Sequence, residues 1–391
     1  GPELPPLARH YEDFATWQRT RLTTPAGRVL LERWQKRLTP PPEPLALPLD
    51  RPRPPVRGFR GGFVETSFSA QTSRSIWSLA AKQGVTPFAL LLALLQVLLW
   101  RHTGQTDLAL GSLVAGRDRA DLADLVGFFV NTLVLRQRID PSASLGAHLT
   151  ATMTTLLEAI ADQDCPFEAL VETVGAPRDT SRHPLFDVLA VWQDGNVPIL
   201  ELPGLRVAPT DAPFPFAKFD LGFYFVHQAD AIGVQVEFDR DLFDRTSVEA
   251  MLERFQRLLD QALADPDQPL SALEVMDPAE RELVVDGFNA TTRDLFIQRT
   301  IPEPLLAQCA ADPEAAAVLW GEETLGYQAF VARAAGVASL LQANGVQPGQ
   351  VVALCARRSP EMLIAIHGIL LAGGAYAPRS EEHTSELQSQ F

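Results

Sequence analysis

An α/β fold is what this sequence predicts, on three observations. Strand-like and helix-like stretches alternate along most of the chain. Of its 391 residues 46% are apolar, enough to bury more than one ordinary core. Two stretches interrupt the alternation and mark boundaries, a proline-rich one at 38–56 and a polar one at 264–282.

Taken in order, 11–38 alternates apolar and charged residues at helical spacing, with Trp17, Leu30, Leu31 and Trp34 as candidate buried positions. The prolines of 38–56 keep the backbone extended and deny helix and central strand alike. From Gly62 a period-two strand pattern is followed by a helix at 72–82. Thr86 then caps a helix with Pro87 in its first turn, and the run 88–100 is apolar on nearly all sides, so it belongs at a domain centre. Strands are predicted at 108–115 and 128–136, a helix at 144–161, strands at 185–192, 219–226 and 233–239, and a long amphipathic helix at 246–263. Beyond the second boundary come a helix, a strand at 316–320, a helix at 327–343, a strand at 351–356 and a helix ending at a Gly pair.

Composition excludes several function classes. The balance of 33 basic against 48 acidic residues, net −15, argues against a nucleic-acid surface. Cys165, Cys309 and Cys355 are far apart with no CxxC, which reads as reduced thiols in a cytoplasmic protein. The apolar run at 88–100 is interrupted by Gln96 and falls short of the ~20 residues of a bilayer crossing, so no membrane partner is expected. The chain opens on GPELPPLARH without an initiator Met or a signal-peptide pattern, as a chain begun in mid-protein would. Residues 379–389 resemble the translation of a sequencing adapter, so 379–391 is set aside as a non-native tail.

Six strings then stand in a fixed order: YEDFATW (11–17), VGFFVNTLVLR (126–136), ADQDCPFEALV (161–171), RDTSRHPLFDV (178–188), KFDLGF (218–223) and FDRDLFD (238–244). Together they resemble the conserved segments of nonribosomal peptide synthetase condensation domains. The second matches (I/V)-G-x-F-V-N-T-x-x-x-R at every fixed position; the third has Asp162 where the family has His, and the fourth has His183 where it has Asn. Further on, FNATTRD (288–294), TLGYQAFVARA (324–334) and LLAGGAYAP (370–378) resemble the opening of an adenylation domain.

The resemblance implies a chloramphenicol-acetyltransferase-like C-terminal lobe of a condensation domain, joined to the truncated N-terminal part of an adenylate-forming domain. The expected divisions are 1–60 for the crossover segment and linker, 61–268 for the lobe, 269–299 for an interdomain linker and 300–378 for the adenylation start. Such a region belongs to an elongation module that joins a carrier-bound acyl or peptidyl thioester to an aminoacyl thioester. A non-catalytic scaffold or carrier-docking fragment is the alternative, as is a related epimerization or acyltransferase domain of the same superfamily.

Tunnel or support residues under this reading are Tyr11, Asp13, Trp17, Asn131, Asp164, Arg178, Asp179, Ser181 and Arg182. Asn131 either satisfies backbone groups at a bend while Phe128, Val130 and Leu133 pack, or stands on a tunnel wall holding pantetheine or a reacting amine. The two arginines around Asp179 and Ser181 suit a buried ion-pair and hydrogen-bond network. No catalytic residue is assigned. The family's H-H-x-x-x-D-G motif lies upstream of YEDFATW, and none of the seven histidines here adjoins another. Nor is there a phosphate loop of the S-G-T-T-G-x-P-K-G kind. Hence no cofactor or metal is expected to bind directly: substrates would ride on the phosphopantetheine of upstream and downstream carrier domains, and ATP with Mg would serve only a complete adenylation domain. The other expected partners are the first condensation lobe and the rest of the adenylation domain, in cis.

Overall fold

A computed structural model describes residues 7, 9–177, 179–195, 204–205, 216–293 and 300–379. The chain divides into two compact units, Gly1–Asp286 and Gly287–Phe391.

The first unit opens with helices α1 (Tyr11–Thr23) and α2 (Pro25–Leu38) rather than the single helical run predicted over 11–38. Thr24 is extended and its hydroxyl accepts from the Gly27 N–H at 3.1 Å, so it caps a new helix whose first residue is Pro25. An extended strap follows to residue 60. Next come β1 (Gly61–Ser67), α3 (Ala70–Gln83), α4 (Pro87–Thr103), β2 (Asp107–Val114), β3 (Asn131–Arg138), α5 (Leu145–Ala161) and α6 (Phe167–Val174). Strands β4 (Val188–Asp194), β5 (Leu221–Gln228) and β6 (Ala231–Asp239) precede α7 (Arg245–Ala264) and the short α8 (Pro278–Glu282).

The six strands form one sheet in the order β1-β6-β5-β4-β2-β3. The pairs β2–β4 and β4–β5 are parallel and the rest antiparallel. Helix α4 packs against α5 and α7 and is buried continuously from Ala89 to Leu99, as an all-round apolar helix must be. Thr86 caps it as predicted, accepting from the Ala89 N–H at 3.1 Å. Among the described residues no single helix is long and apolar enough to cross a membrane.

Two expectations shift. Strand β3 begins at Asn131, not 128, and its approach places Phe128 and Val130 at the surface while Phe129 and Leu133 are buried. The first unit also reaches past the expected 268/269 boundary. Leu270 and Leu273 are fully buried, and the chain there bonds back to the start of α5 through Leu145 N–H to Gln268 O and Leu270 N–H to Ala143 O, each 3.0 Å.

The second unit contains α9 (Pro302–Ala311), the antiparallel hairpin β7 (Ala316–Trp320) and β8 (Glu323–Gly326), α10 (Tyr327–Ala343), and β9 (Val351–Leu354), which runs parallel to β10 (Ala375–Pro378) across α11 (Pro360–Leu371). Phe330, Ala334 and Ile364 centre its core. Gly373, just past α11, has φ +82°, the left-handed turn that glycine permits. Residues 380–391, most of the tail set aside from the sequence, lie outside the described residues.

Candidate functional site

The first group of predicted residues gathers where α1 meets the entry to β3. The Tyr11 hydroxyl donates to Phe128 O at 2.8 Å, and its ring stands edge-on to Phe129 at 5.2 Å. A Cβ on Gly127 would fall 2.2 Å from the Tyr11 ring, so this approach requires glycine. Trp17 lies beside Phe14, with the guanidinium groups of Arg21 and Arg119 each 5.2 Å from its ring. Asp13 accepts from the His10 N–H at 2.8 Å and so closes the start of α1. Asp164 pairs with Arg21 at 2.6 Å.

Asn131 ties this group together. Its Nδ2 donates to Gln163 O and Cys165 O, both at 2.7 Å, and its Oδ1 accepts from the Phe167 N–H at 3.2 Å. Both amide protons and one acceptor site are therefore engaged in holding the turn between α5 and α6. Trp17, Arg119, Asn131, Gln163 and Asp164 share the lining of one small cleft.

The second group lies where β4, β5 and β6 come level. Arg178 lies outside the described residues. Asp179 accepts from the Ser181 N–H at 2.8 Å, and the Ser181 hydroxyl and N–H hold its carboxyl below the usual range. Arg182 donates to Asp187 at 2.9 Å, and Ser181 O accepts from Arg53 of the strap at 3.1 Å. Arg53 also pairs with Asp220, whose side chain is 1% exposed.

Backbone bonds from Asp220 N–H to Asp187 O (3.1 Å) and from Asp239 N–H to Asp220 O (3.0 Å) line up three buried carboxylates, just ahead of β4, just ahead of β5 and at the end of β6. Burial pushes the carboxyls of Asp187 and Asp239 up. His183 sits among Phe167, Phe186 and Phe219, and burial lowers its pKa to about 4, so near neutral pH it is an uncharged ring in an aromatic packet. Phe167 joins the two groups: its N–H is on Asn131 and its ring lies 5.3 Å from that of His183.

Sequence reasoning marked Asp162 only as a departure from the family string and passed over the other charges that complete these networks. Asp162 is buried, bonded by Arg33 at 3.1 Å and paired with Arg37, while Trp34 Nε1 donates to its carbonyl at 3.1 Å. Arg53, Asp187 and Asp220 were unmarked. The one available signal was an Asp directly ahead of an apolar run, in DVLAV and DLGFY. Among the described residues no group of three or more His, Cys, Asp or Glu side chains is placed to hold a metal ion.

A sequence profile described as the Condensation domain matches residues 1–285, and one described as AMP-binding enzyme matches 305–389. Malpinin synthetase of Mortierella alpina is 35% identical over 382 residues, which cover 98% of this chain and 5% of that protein. Tyrocidine synthase 2 of Brevibacillus parabrevis is 34% identical over 388 residues, or 99% of this chain and 11% of its own length. The chain thus spans a small fraction of these relatives.

Among solved structures, a holo four-domain nonribosomal peptide synthetase bound to AMP and glycine superposes with a TM-score of 0.72 at 25% identity, covering 92% of this chain and 28% of that one. The X-domain from teicoplanin biosynthesis gives 0.66 at 26% identity, over 71% of this chain and 64% of its own.

Proposed function

The chain belongs to the condensation domain family, continued by the start of an AMP-binding enzyme, and on that premise we propose that it is part of an elongation module of a nonribosomal peptide synthetase. In the parent protein its first unit supports amide-bond formation between two thioesters carried on phosphopantetheine arms. The amine nitrogen of the downstream aminoacyl group attacks the upstream carbonyl carbon. The C–N bond forms, the C–S bond breaks, the thiol departs, and the proton lost from nitrogen passes to a base.

The observation that carries this reading is Asn131 with its turn. The string matched most fully in the sequence folds into a bonded junction between β3 and the α5–α6 turn, beside a cleft shared with Trp17 and Asp164. The residues described here support rather than perform proton transfer. His183 is half-buried, neutral near pH 7 and packed between rings, and the 391 residues contain neither a His–His pair nor a phosphate loop. The carrier domains upstream and downstream are its proposed partners, and ATP with Mg would be needed only by a complete adenylation domain.

Incubated with two loaded carrier proteins, the 391-residue chain alone is expected to give no dipeptidyl thioester by mass spectrometry, and product should form once the H-H-x-x-x-D-G-bearing segment of a relative is fused upstream. Product from the chain alone would overturn the assignment of a purely supporting role.

A further inference from the structure

Strand β1 is the first strand of the six-stranded sheet and, among the described residues, pairs only with β6. The bonds from Arg240 N–H to Arg60 O (2.8 Å) and from Phe68 N–H to Ile232 O (3.0 Å) fix the alternation: even-numbered residues of this strand face β6, and the backbone groups of Phe63, Glu65 and Ser67 face away from it. The beginning of this outer edge is closed by a bridge between Arg60 and Phe216. Further along, Arg245 at the start of α7 reaches back and its Nη1 donates to Phe63 O at 3.0 Å, while its Nε is held by Glu249 at 2.8 Å. Among the described residues nothing bonds the outward backbone groups of Glu65 or Ser67.

Residues of β1 and α7 line a groove of about 390 Å3 beside this edge. Its floor is apolar, from Val64, Phe68, Leu252 and Phe255, and Glu65, Glu249 and Glu253 stand around it. Arg245 occupies the position where the first backbone N–H of an added strand would donate.

We propose that this edge docks an extended peptide segment of another polypeptide by strand addition, with apolar side chains at alternate positions and lysine or arginine flanking them. Main-chain bonds to Phe63, Glu65 and Ser67 would hold the peptide, and its alternate side chains would fill the floor over α7. The basic flanks answer Glu65, Glu249 and Glu253, and the guanidinium of Arg245 already stands in for one of them. A second copy of the chain is the poorer occupant, because two such edges would set Glu65 against Glu65 between molecules of net charge −15. The site is separate from the Asn131 turn, and its test does not depend on the catalytic reading.

The probe is a fluorescent heptapeptide alternating threonine and valine between terminal lysines, titrated into the full chain by anisotropy. Glu65→Pro removes an outward N–H without touching the ladder to β6, and is expected to weaken binding about tenfold, as one or two lost backbone bonds would. Arg245→Ala should tighten binding by freeing Phe63 O. The double variant Glu249→Lys, Glu253→Lys leaves the strand intact and should reverse the preference toward a glutamate-flanked peptide, which keeps the test decisive if the proline variant fails to fold. No binding, equal binding by the wild type and Glu65→Pro, or a concentration-dependent dimer abolished by Glu65→Pro would each overturn the proposal, the last by assigning the edge to a second copy.

Discussion

Asn131 makes three hydrogen bonds to a turn more than 30 residues away in sequence, and two of them satisfy the carbonyls of Gln163 and Cys165. Replacing it by a leucine of similar size would leave those oxygens and the Phe167 N–H without partners. Asn131→Leu is therefore expected to destabilise the first unit by about 2–3 kcal/mol, read as a lowered urea midpoint at unchanged slope. A variant as stable as the wild type would make the residue a ligand holder rather than an anchor. The string around Asn131 was legible because it matched a known pattern without a gap. The partners of the residue were not, since nothing local in a sequence says which distant carbonyl a side-chain amide will reach. Phe128 and Phe129 illustrate the same limit: adjacent and identical, one is 76% exposed and the other 4%, decided by where β3 begins.

The strap between α2 and β1 has no hydrogen-bonded secondary structure of its own, so its position depends on what it meets. Leu45 N–H reaches Asp187 at 2.9 Å, Arg53 pairs with Asp220, and Asp50 accepts from the Asp244 N–H at 2.7 Å at the head of α7. Of these Arg53 matters most, because Asp220 is almost wholly enclosed. Arg53→Met should cost about 3–5 kcal/mol by leaving a buried charge uncompensated, and adding Asp220→Asn should restore much of the loss. Chemical denaturation of both variants checks this; a double variant no better than the single would place the cost in lost packing instead. Long periodic elements such as α4, α5, α7 and α10 were readable in advance because each carries its own apolar pattern. The four-residue β8 (ETLG) and β10 (AYAP) were not, because unlike the equally short β9 (VVAL) they carry no β-branched pair to mark them, and the break between α1 and α2 was hidden by apolar spacing that runs on through Pro25.

Across the whole chain, three histidines share one electrostatic condition: burial lowers His102, His148 and His183 each to about 4. In the unfolded chain they titrate near 6.5, so between roughly pH 4 and 6.5 the unfolded state binds more protons than the native one. Stability is therefore complete above about pH 6.5 and is lost as the pH falls through that window, with a slope approaching about three protons at its steepest. The carboxyls of the buried Asp187 and Asp239 and of the half-buried Glu237, raised by desolvation, act in the opposite sense toward the acid end. Urea midpoints compared at about pH 5 and about pH 7 should fall at the lower value, and His183→Phe should remove about one proton from the difference. An unchanged midpoint would mean that these rings gain charge without unfolding the protein.

At this scale the order of domains was legible from the resemblance carried by the ordered strings, but the end of the first unit was not. The segment after α7 looks polar in sequence, and its two decisive side chains, Leu270 and Leu273, belong to the short stretch LSALEVM, too brief to show a period of its own. That burial sets a rule for grafting. A chimera joined at residue 269 would carry a stranger's side chains into a closed layer under α5, whereas residues 281–290 all lie exposed, so a seam placed there alters only surface and leaves the donor lobe whole.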